Sequence, residues 1–208
     1  MIQILLFILF FQAPAAAAGS YDDLLSAIKH DDIPAAEALF AKGLDVNTTD
    51  PGGNTLLMIS IREDHVDIAG RLLQRQAEVS PRNQYGETAL MLAAAKGQLE
   101  LVKLLVAHGA RVNLTGWNPL IYAAWRGQTE VVRFLLDKGA DIDAVSPSGV
   151  SALMMAARGG HFDTVKLLLW EVADPNIKSD SGATALQWAL KEGNTDIAAL
   201  LKQAGAKE

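Results

Sequence analysis

The sequence predicts an all-α solenoid of about six helix-turn-helix units joined by hairpin loops, and three observations carry that prediction. Glycines at Gly53, Gly86, Gly116, Gly149 and Gly182 are separated by 33, 30, 33 and 33 residues. Leucines hold the same register at Leu24, Leu57, Leu90, Leu120, Leu153 and Leu186. Between these marks the apolar residues recur at helical spacing. Cutting the chain on this period gives units at about 20–49, 50–82, 83–114, 115–145, 146–178 and 179–208, within one domain covering 19–208.

The chain opens on something different. Met1 to Phe11 is an apolar run that Gln12-Ala13-Pro14 breaks, and Ala15 to Gly19 supplies the small residues of a signal-peptidase site. Residues 1–18 therefore read as a cleaved secretory signal peptide, although no Lys or Arg precedes the apolar run. An uncleaved anchor is the competing reading, and the Gln and Pro argue against it. There is no cysteine to form a disulfide or carry a lipid, so an exported mature chain is held by its packed core alone. The expected location is an exported compartment, the bacterial periplasm first, with no membrane association once the leader is removed.

Each unit then begins with a polar turn and a short apolar segment, as in Gly53-Asn-Thr-Leu-Leu-Met58, Gly86-Glu-Thr-Ala-Leu-Met91 and Gly116-Trp-Asn-Pro-Leu-Ile121. Thr, Ser or Asn before the leucine caps a first helix, and Pro119 falls in the first turn, where its missing N–H costs nothing. Alanines such as Ala93-Ala94-Ala95, Ala123-Ala124 and Ala156-Ala157 let neighbouring helices approach closely. Gly97, Gly127, Gly160 and Gly193 end the first helix at a turn that needs positive φ. A second helix follows, with apolar residues such as Val131, Val132, Phe134, Leu135 and Leu136 at helical spacing. It stops at Gly-Ala-Arg111 or Gly-Ala-Asp141, and the hairpin between Gly109 and Gly116 is three residues short. The end units carry polar residues that stop the stack from growing: Asp22, Asp31 and Asp32 at the start, and Gln203 to Glu208 at the finish.

The strings G-x-T-A-L-M-x-A-A-x-x-G and E-V-V-x-x-L-L-x-x-G-A resemble the ankyrin repeat over residues 20–208. The family's Thr-Pro-Leu-His keeps its proline only at Pro119, and its histidine is replaced by Met58, Met91, Ile121, Met154 or Gln187. That exchange substitutes apolar packing for a polar contact. The resemblance extends to bacterial exported ankyrin proteins, which implies an accessory or protective role toward another exported protein.

No catalytic set is expected. His65 and His161 share one slot after the inter-helix turn and read as structural caps, while His30 and His108 fall at solvated helix ends. No histidine pair has metal-ligand spacing, Gly149-Val-Ser-Ala-Leu153 lacks the last glycine of a nucleophile elbow, and no phosphate-cradling loop occurs. The carboxylate pairs Asp22-Asp23 and Asp31-Asp32 are placed on an exposed cap. No cofactor and no metal are called for. A net charge of −6, with seven acids against Lys29 and Lys42 between Asp22 and Asp50, makes nucleic acid an unsuitable partner.

What remains is surface. In an ankyrin-like stack the hairpin tips and first-helix ends line a concave face, and the resemblance points to units three to five. The residues expected to touch a protein partner are Tyr85, Trp117, Trp125, Arg126, Arg158, Arg62 and Lys96. Trp117 and Trp125 with Arg126 have the composition of an interface hot spot. Lys29, Arg62, Lys96, Arg126, Arg158 and Lys191 form a ladder of one cation per unit, suited to a partner with an acidic surface. Trp170 and Trp188 are assigned to the core or its edge. The expected function is a non-enzymatic protein-binding module, a monomer on its own, gripping another exported protein. An immunity protein that neutralises a secreted toxin is the alternative within binding, and a hydrolase is the distant one.

Overall fold

The computed structural model describes residues 15–207. The expected signal peptide lies outside them except for Ala15–Ala18, whose backbone opens the first helix. Among the described residues there are twelve α-helices and no strands. They form six antiparallel pairs: α1 (Ala15–Lys29) with α2 (Ile33–Ala41), α3 (Leu56–Arg62) with α4 (Val66–Gln74), and α5 (Ala89–Lys96) with α6 (Leu99–Ala107). The series continues with α7 (Pro119–Trp125) and α8 (Thr129–Asp137), α9 (Ala152–Arg158) and α10 (Phe162–Trp170), α11 (Ala185–Lys191) and α12 (Thr195–Gln203). Odd-numbered inner helices pack on inner helices and even-numbered outer helices on outer ones, which makes a one-dimensional stack.

Local chemistry fixes each inner helix. Thr55, Thr88, Asn118, Ser151 and Thr184 are N-caps whose side-chain oxygens accept from the amides of Met58, Met91, Ile121, Met154 and Gln187. Each such cap contributes about 1 kcal/mol. The first unit departs from this, because α1 runs unbroken through Asp22, the position of the capping residue elsewhere. Both terminal carboxylate pairs are exposed as expected, and Asp32 caps α2 by accepting from the Ala35 amide at 3.0 Å.

Packing is tightest along the inner row, where Ala93, Ala94, Ala123, Ala124, Ala156 and Ala157 are fully buried. Met58, Met91, Ile121 and Met154 are buried too, so in four units the exchange of the family's histidine becomes apolar packing, whereas Gln187 is exposed and accepts from the Thr184 amide in a capping box. Gly97, Gly127, Gly160 and Gly193 have φ between 67° and 77°. Asp31 and Asp64 hold that slot in the first two units at φ 54° and 65°.

Units are stapled by a repeated polar contact. His65, Gln98, Gln128, His161 and Asn194 each bond through a side-chain nitrogen to a carbonyl near the end of the preceding inner helix: Lys29, Ile61, Ala95, Trp125 and Ala157, at 2.9–3.3 Å. His65 and His161 are therefore structural, though not as caps of their own helices, where neither makes a side-chain cap bond. At Gly127 the missing side chain leaves room for the staple, since a Cβ there would lie 2.5 Å from Nδ1 of His161. A second clasp joins the hairpins, with Asn47, Asn113, Asp143 and Asn176 accepting from the amides of Glu78, Asp141, Asp174 and Lys207 at 2.8–2.9 Å.

Candidate functional site

Four hairpins carry a closed tip. Asp50, Asn83, Ser146 and Ser179 each donate their amide to a carbonyl four residues on, at 2.9–3.0 Å. Fingers also join in pairs, Gln84 amide to Gly52 carbonyl and Asp180 amide to Ser148 carbonyl, both at 3.0 Å. The shortened hairpin before α7 lacks the residues for either bond, and the segment turns directly at Gly116 with φ 81°. A gap in the finger row results, with Trp117 at its edge.

Beside that gap is a cleft of about 800 Å³ on the inner-helix side of units four to six. Its apolar lining comes from Trp117 and Trp125 in unit four, Val150 and Met155 in unit five, and Trp188 in unit six. Arg158 and Glu192 add charge at helix ends, and Ser148, Ser179, Asp180 and Ser181 add polar groups from the two fingers. The cleft sits one unit further along than the expected units three to five.

Trp117 and Trp125 are 37% and 43% exposed, and Tyr122 stands between them. It meets each ring edge to face, with centroids 6.0 and 6.3 Å apart. The Tyr122 hydroxyl donates to Glu87 Oε1 at 3.3 Å. Burial first, and the Glu87 charge second, push its pKa up to about 12. Glu87 also accepts from Asn83 Nδ2, which reaches Asn54 Oδ1 at 2.9 Å, and Asn54 donates to Asp50. Burial opposes ionisation of Asp50, but hydrogen bonds from the Asn54 side chain and from the Asn54 and Gly52 amides outweigh it and hold the carboxyl below its ordinary range. A polar chain thus runs through units two and three and ends under the tryptophans.

The remaining expected site residues are scattered. Tyr85 is 70% exposed at a fingertip of unit three, outside the cleft. Arg62 donates to Asn54 Oδ1 at 3.3 Å, and Lys96 bonds the Arg62 carbonyl and Asp64 Oδ2 at 2.6 and 2.7 Å. The cation ladder is not one row. Lys29, Arg62, Arg158 and Lys191 are last residues of their helices, a slot held by Trp125 in unit four, whereas Arg126 falls one residue past the end of α7 and α5 runs one residue longer to Lys96. Arg126 lies over the Trp125 ring at 4.6 Å and Arg158 over Trp188 at 5.6 Å, with Arg158 Nε 3.6 Å from Glu192 Oε1.

Of the two tryptophans assigned to the core or its edge, one is found there and one is not. Trp170, assigned to the core or its edge, is 82% exposed at the end of α10, because that slot faces away from the neighbouring outer helices. Trp188 is half-buried at the core edge, yet it also lines the cleft, a role the sequence reading left out. Outer-helix slots equivalent to Trp170 hold Ala41, Gln74, Ala107, Asp137 and Gln203, all exposed, and that row was the available signal. His30 and His108 are exposed, each bonding the carbonyl four residues back. Among the described residues no His, Asp and Glu group is arranged to hold a metal, and no helix is long and apolar enough to cross a membrane.

Comparison with known proteins agrees with this architecture. A family profile of ankyrin repeats in three copies matches residues 71–146 and 139–208, and a profile of ankyrin repeats in many copies matches 24–73. Among solved structures, an ankyrin repeat domain from Acinetobacter baumannii is 32% identical, covering 88% of this chain and 98% of that one, with a TM-score of 0.77. The ankyrin repeat domain of human ASB11 is 28% identical over 88% of this chain and 84% of that one, with a TM-score of 0.81. No curated protein matches. Ankyrin repeats are in general protein-interaction modules, and with its repeats matched from residue 24 to 208 this chain belongs to the ankyrin repeat family.

Proposed function

We propose that this protein is a non-enzymatic binding module that grips another exported protein, as its accessory or protective partner, through the cleft on units four to six. The observation that carries the reading is the grouping of Trp117, Trp125 and Trp188 around a cleft of about 800 Å³. Fold maintenance buries large apolar groups. Here the Trp117 and Trp125 indoles stay more than a third exposed while Tyr122 packs edge to face against both and Arg126 lies over Trp125. Tryptophan and arginine in a concave, partly desolvated setting are the residues on which binding energy concentrates.

The proposed compartment is the bacterial periplasm. It is supported by the apolar run from Met1 to Phe11, the Ala15–Ala18 site and the absence of cysteine. Intact mass of the protein from the mature compartment tests it, and a species that retains Met1 there refutes leader removal.

Binding is tested by immobilising the mature chain, capturing partners from periplasmic extract, and titrating the captured protein against variants. Trp117→Ala or Trp125→Ala should weaken affinity by about 2 kcal/mol or more, with a smaller loss of stability than a core substitution causes. Unchanged affinity in both variants, with melting lowered as far as for Leu135→Ala, refutes the cleft as a binding site and makes both indoles packing residues.

A further inference from the structure

We infer that the cleft recognises a polypeptide segment in which a basic side chain, arginine before lysine, adjoins a bulky apolar one. Asp180 on the finger of unit six receives the cation, while Trp117, Val150 and Met155 receive the apolar neighbour and the stem of the basic residue. The inference rests on the protein-binding reading above and adds the chemistry of the partner.

The charges that line the cleft decide its preference. They are Arg158, Asp180 and Glu192, two carboxylates against one guanidinium. Of the cation ladder only Arg158 reaches the cleft, and it is already answered: it lies over the Trp188 ring at 5.6 Å, with its Nε 3.6 Å from Glu192 Oε1. That leaves Asp180. It is exposed, and among the described residues its carboxylate has neither an ion pair nor a hydrogen bond. Its backbone is fixed, because the Asp180 amide donates to the Ser148 carbonyl and the finger closes from the Ser179 amide to the Ala183 carbonyl, both at 3.0 Å. A carboxylate carried on a rigid wall needs little ordering to take a cation.

The indoles sort in the same way. Trp125 lies under Arg126 at 4.6 Å and Trp188 under Arg158, whereas among the described residues no cation stands over Trp117. Around Trp188 an indole, a guanidinium and a carboxylate stand together. Trp117 and Asp180 bring an indole and a carboxylate to the same cleft without the cation. An incoming arginine suits both, since its guanidinium is weakly hydrated, forks onto a carboxylate and stacks on aromatic rings, and its methylene stem covers an apolar floor. An acidic guest is disfavoured. It would meet like charge at Asp180 and Glu192, and it could reach Arg158 only by displacing Glu192. The protein's net charge of −6 acts in the same direction at longer range, drawing a basic partner inward.

Three heptapeptides carrying the same rhodamine label, identical except for a central Arg-Phe, Gln-Phe or Glu-Phe, test the proposal by fluorescence anisotropy with the mature chain. The Arg-Phe peptide should bind about fivefold more tightly than Gln-Phe, with Glu-Phe weakest, and the preference should shrink as salt rises. Asp180→Asn should remove the preference while leaving the finger intact, because the finger is held by backbone amides. Glu192→Gln should weaken Arg-Phe binding several-fold by leaving Arg158 unanswered, and Trp117→Ala should weaken all three peptides. Equal or tighter binding of Glu-Phe, a preference that survives Asp180→Asn, or no binding of any peptide overturns the proposal. The captured partner separates this failure from that of the protein-binding reading. Sensitivity to Trp117→Ala and Trp125→Ala with indifference to Asp180→Asn defeats only the basic chemistry, whereas indifference to the tryptophan variants defeats both.

Discussion

Leu135→Ala tests the quasi-linear logic of the stack. Leu135 lies on α8 and is completely buried, in a unit with neighbours on both sides. Truncation to Ala removes about three carbon groups, worth about 2.4 kcal/mol in transfer at about 0.8 each. The cavity left in a wall of α-helices that cannot collapse adds to that, so the total falls at about 2–5 kcal/mol. For a chain of this length a change of 1 kcal/mol moves the midpoint by about 2–4 °C, so melting should fall by about 4–20 °C. Leu200, on α12 of the last unit, is only partly buried and has a neighbouring unit on one side, and Leu200→Ala should cost less than half as much. Urea unfolding followed by far-UV circular dichroism compares the two. Equal losses in midpoint would refute the reasoning, because they would mean that the end unit shares the stability of the centre rather than adding to it as one neighbour.

The remaining predictions concern departures from the repeat. Val172 holds φ 67° where units one, three, four and six end on glycine and unit two on Gln76, a strained conformation for a β-branched residue, and it is 82% exposed. Val172→Gly should therefore stabilise by about 0.5–1 kcal/mol, the strain of about 1–2 outweighing the entropy of about 0.5–1, and a lowered thermal midpoint would refute it. Tyr122 is raised in the folded state, so the stability this shift supplies is complete below the ordinary tyrosine pKa and is lost as pH rises from about 10 toward 12. In a spectrophotometric tyrosinate titration Tyr122→Phe should remove the group that titrates near pH 12, and survival of that group would refute the assignment. Inserting three residues between Gly109 and Gly116 should restore a closed finger, narrow the cleft beside Trp117 and weaken partner binding; unchanged stability and unchanged binding together would leave the gap without a role.

The elements were legible because their causes are local. A capping hydroxyl three residues before the amide it serves, a positive-φ glycine and a patterned apolar face all sit within one unit, and the period repeats each signal. What crosses between units was not legible from one unit alone. The staple from His161 to the Trp125 carbonyl spans 36 residues, and the sequence offered a cap on its own helix as the nearer role. The row His65, Gln98, Gln128, His161 and Asn194, all able to donate from a side-chain nitrogen, was the trace of it. The cation ladder failed as a single row for the opposite reason: one residue of helix is about 100°, so Lys96 and Arg126 leave the row that Arg62 and Arg158 occupy.

Departures from the repeat are concentrated where the cleft is, and this is the strongest internal reason to read it as functional. In their fingers units two and three obey the pattern, with closed tips joined at Gln84 and Gly52 and a continuous polar chain from Asp50 to Glu87. Unit four drops three hairpin residues, adds Trp117, and puts Trp125 where units two and five carry arginine. The slot of Ile59 and Leu92 becomes Tyr122, Met155 and Trp188 in the last three units, two of them aromatic residues with a polar atom. None of these exchanges improves the core: Trp117 and Trp125 remain well exposed, and the Tyr122 hydroxyl needs Glu87 to satisfy it. A stack optimised for stability alone would carry the closed finger and a buried aliphatic at these places. The polar chain that is purely structural in units two and three therefore acquires a second effect at its end, since through Tyr122 it sets the angle at which two indoles face the cleft.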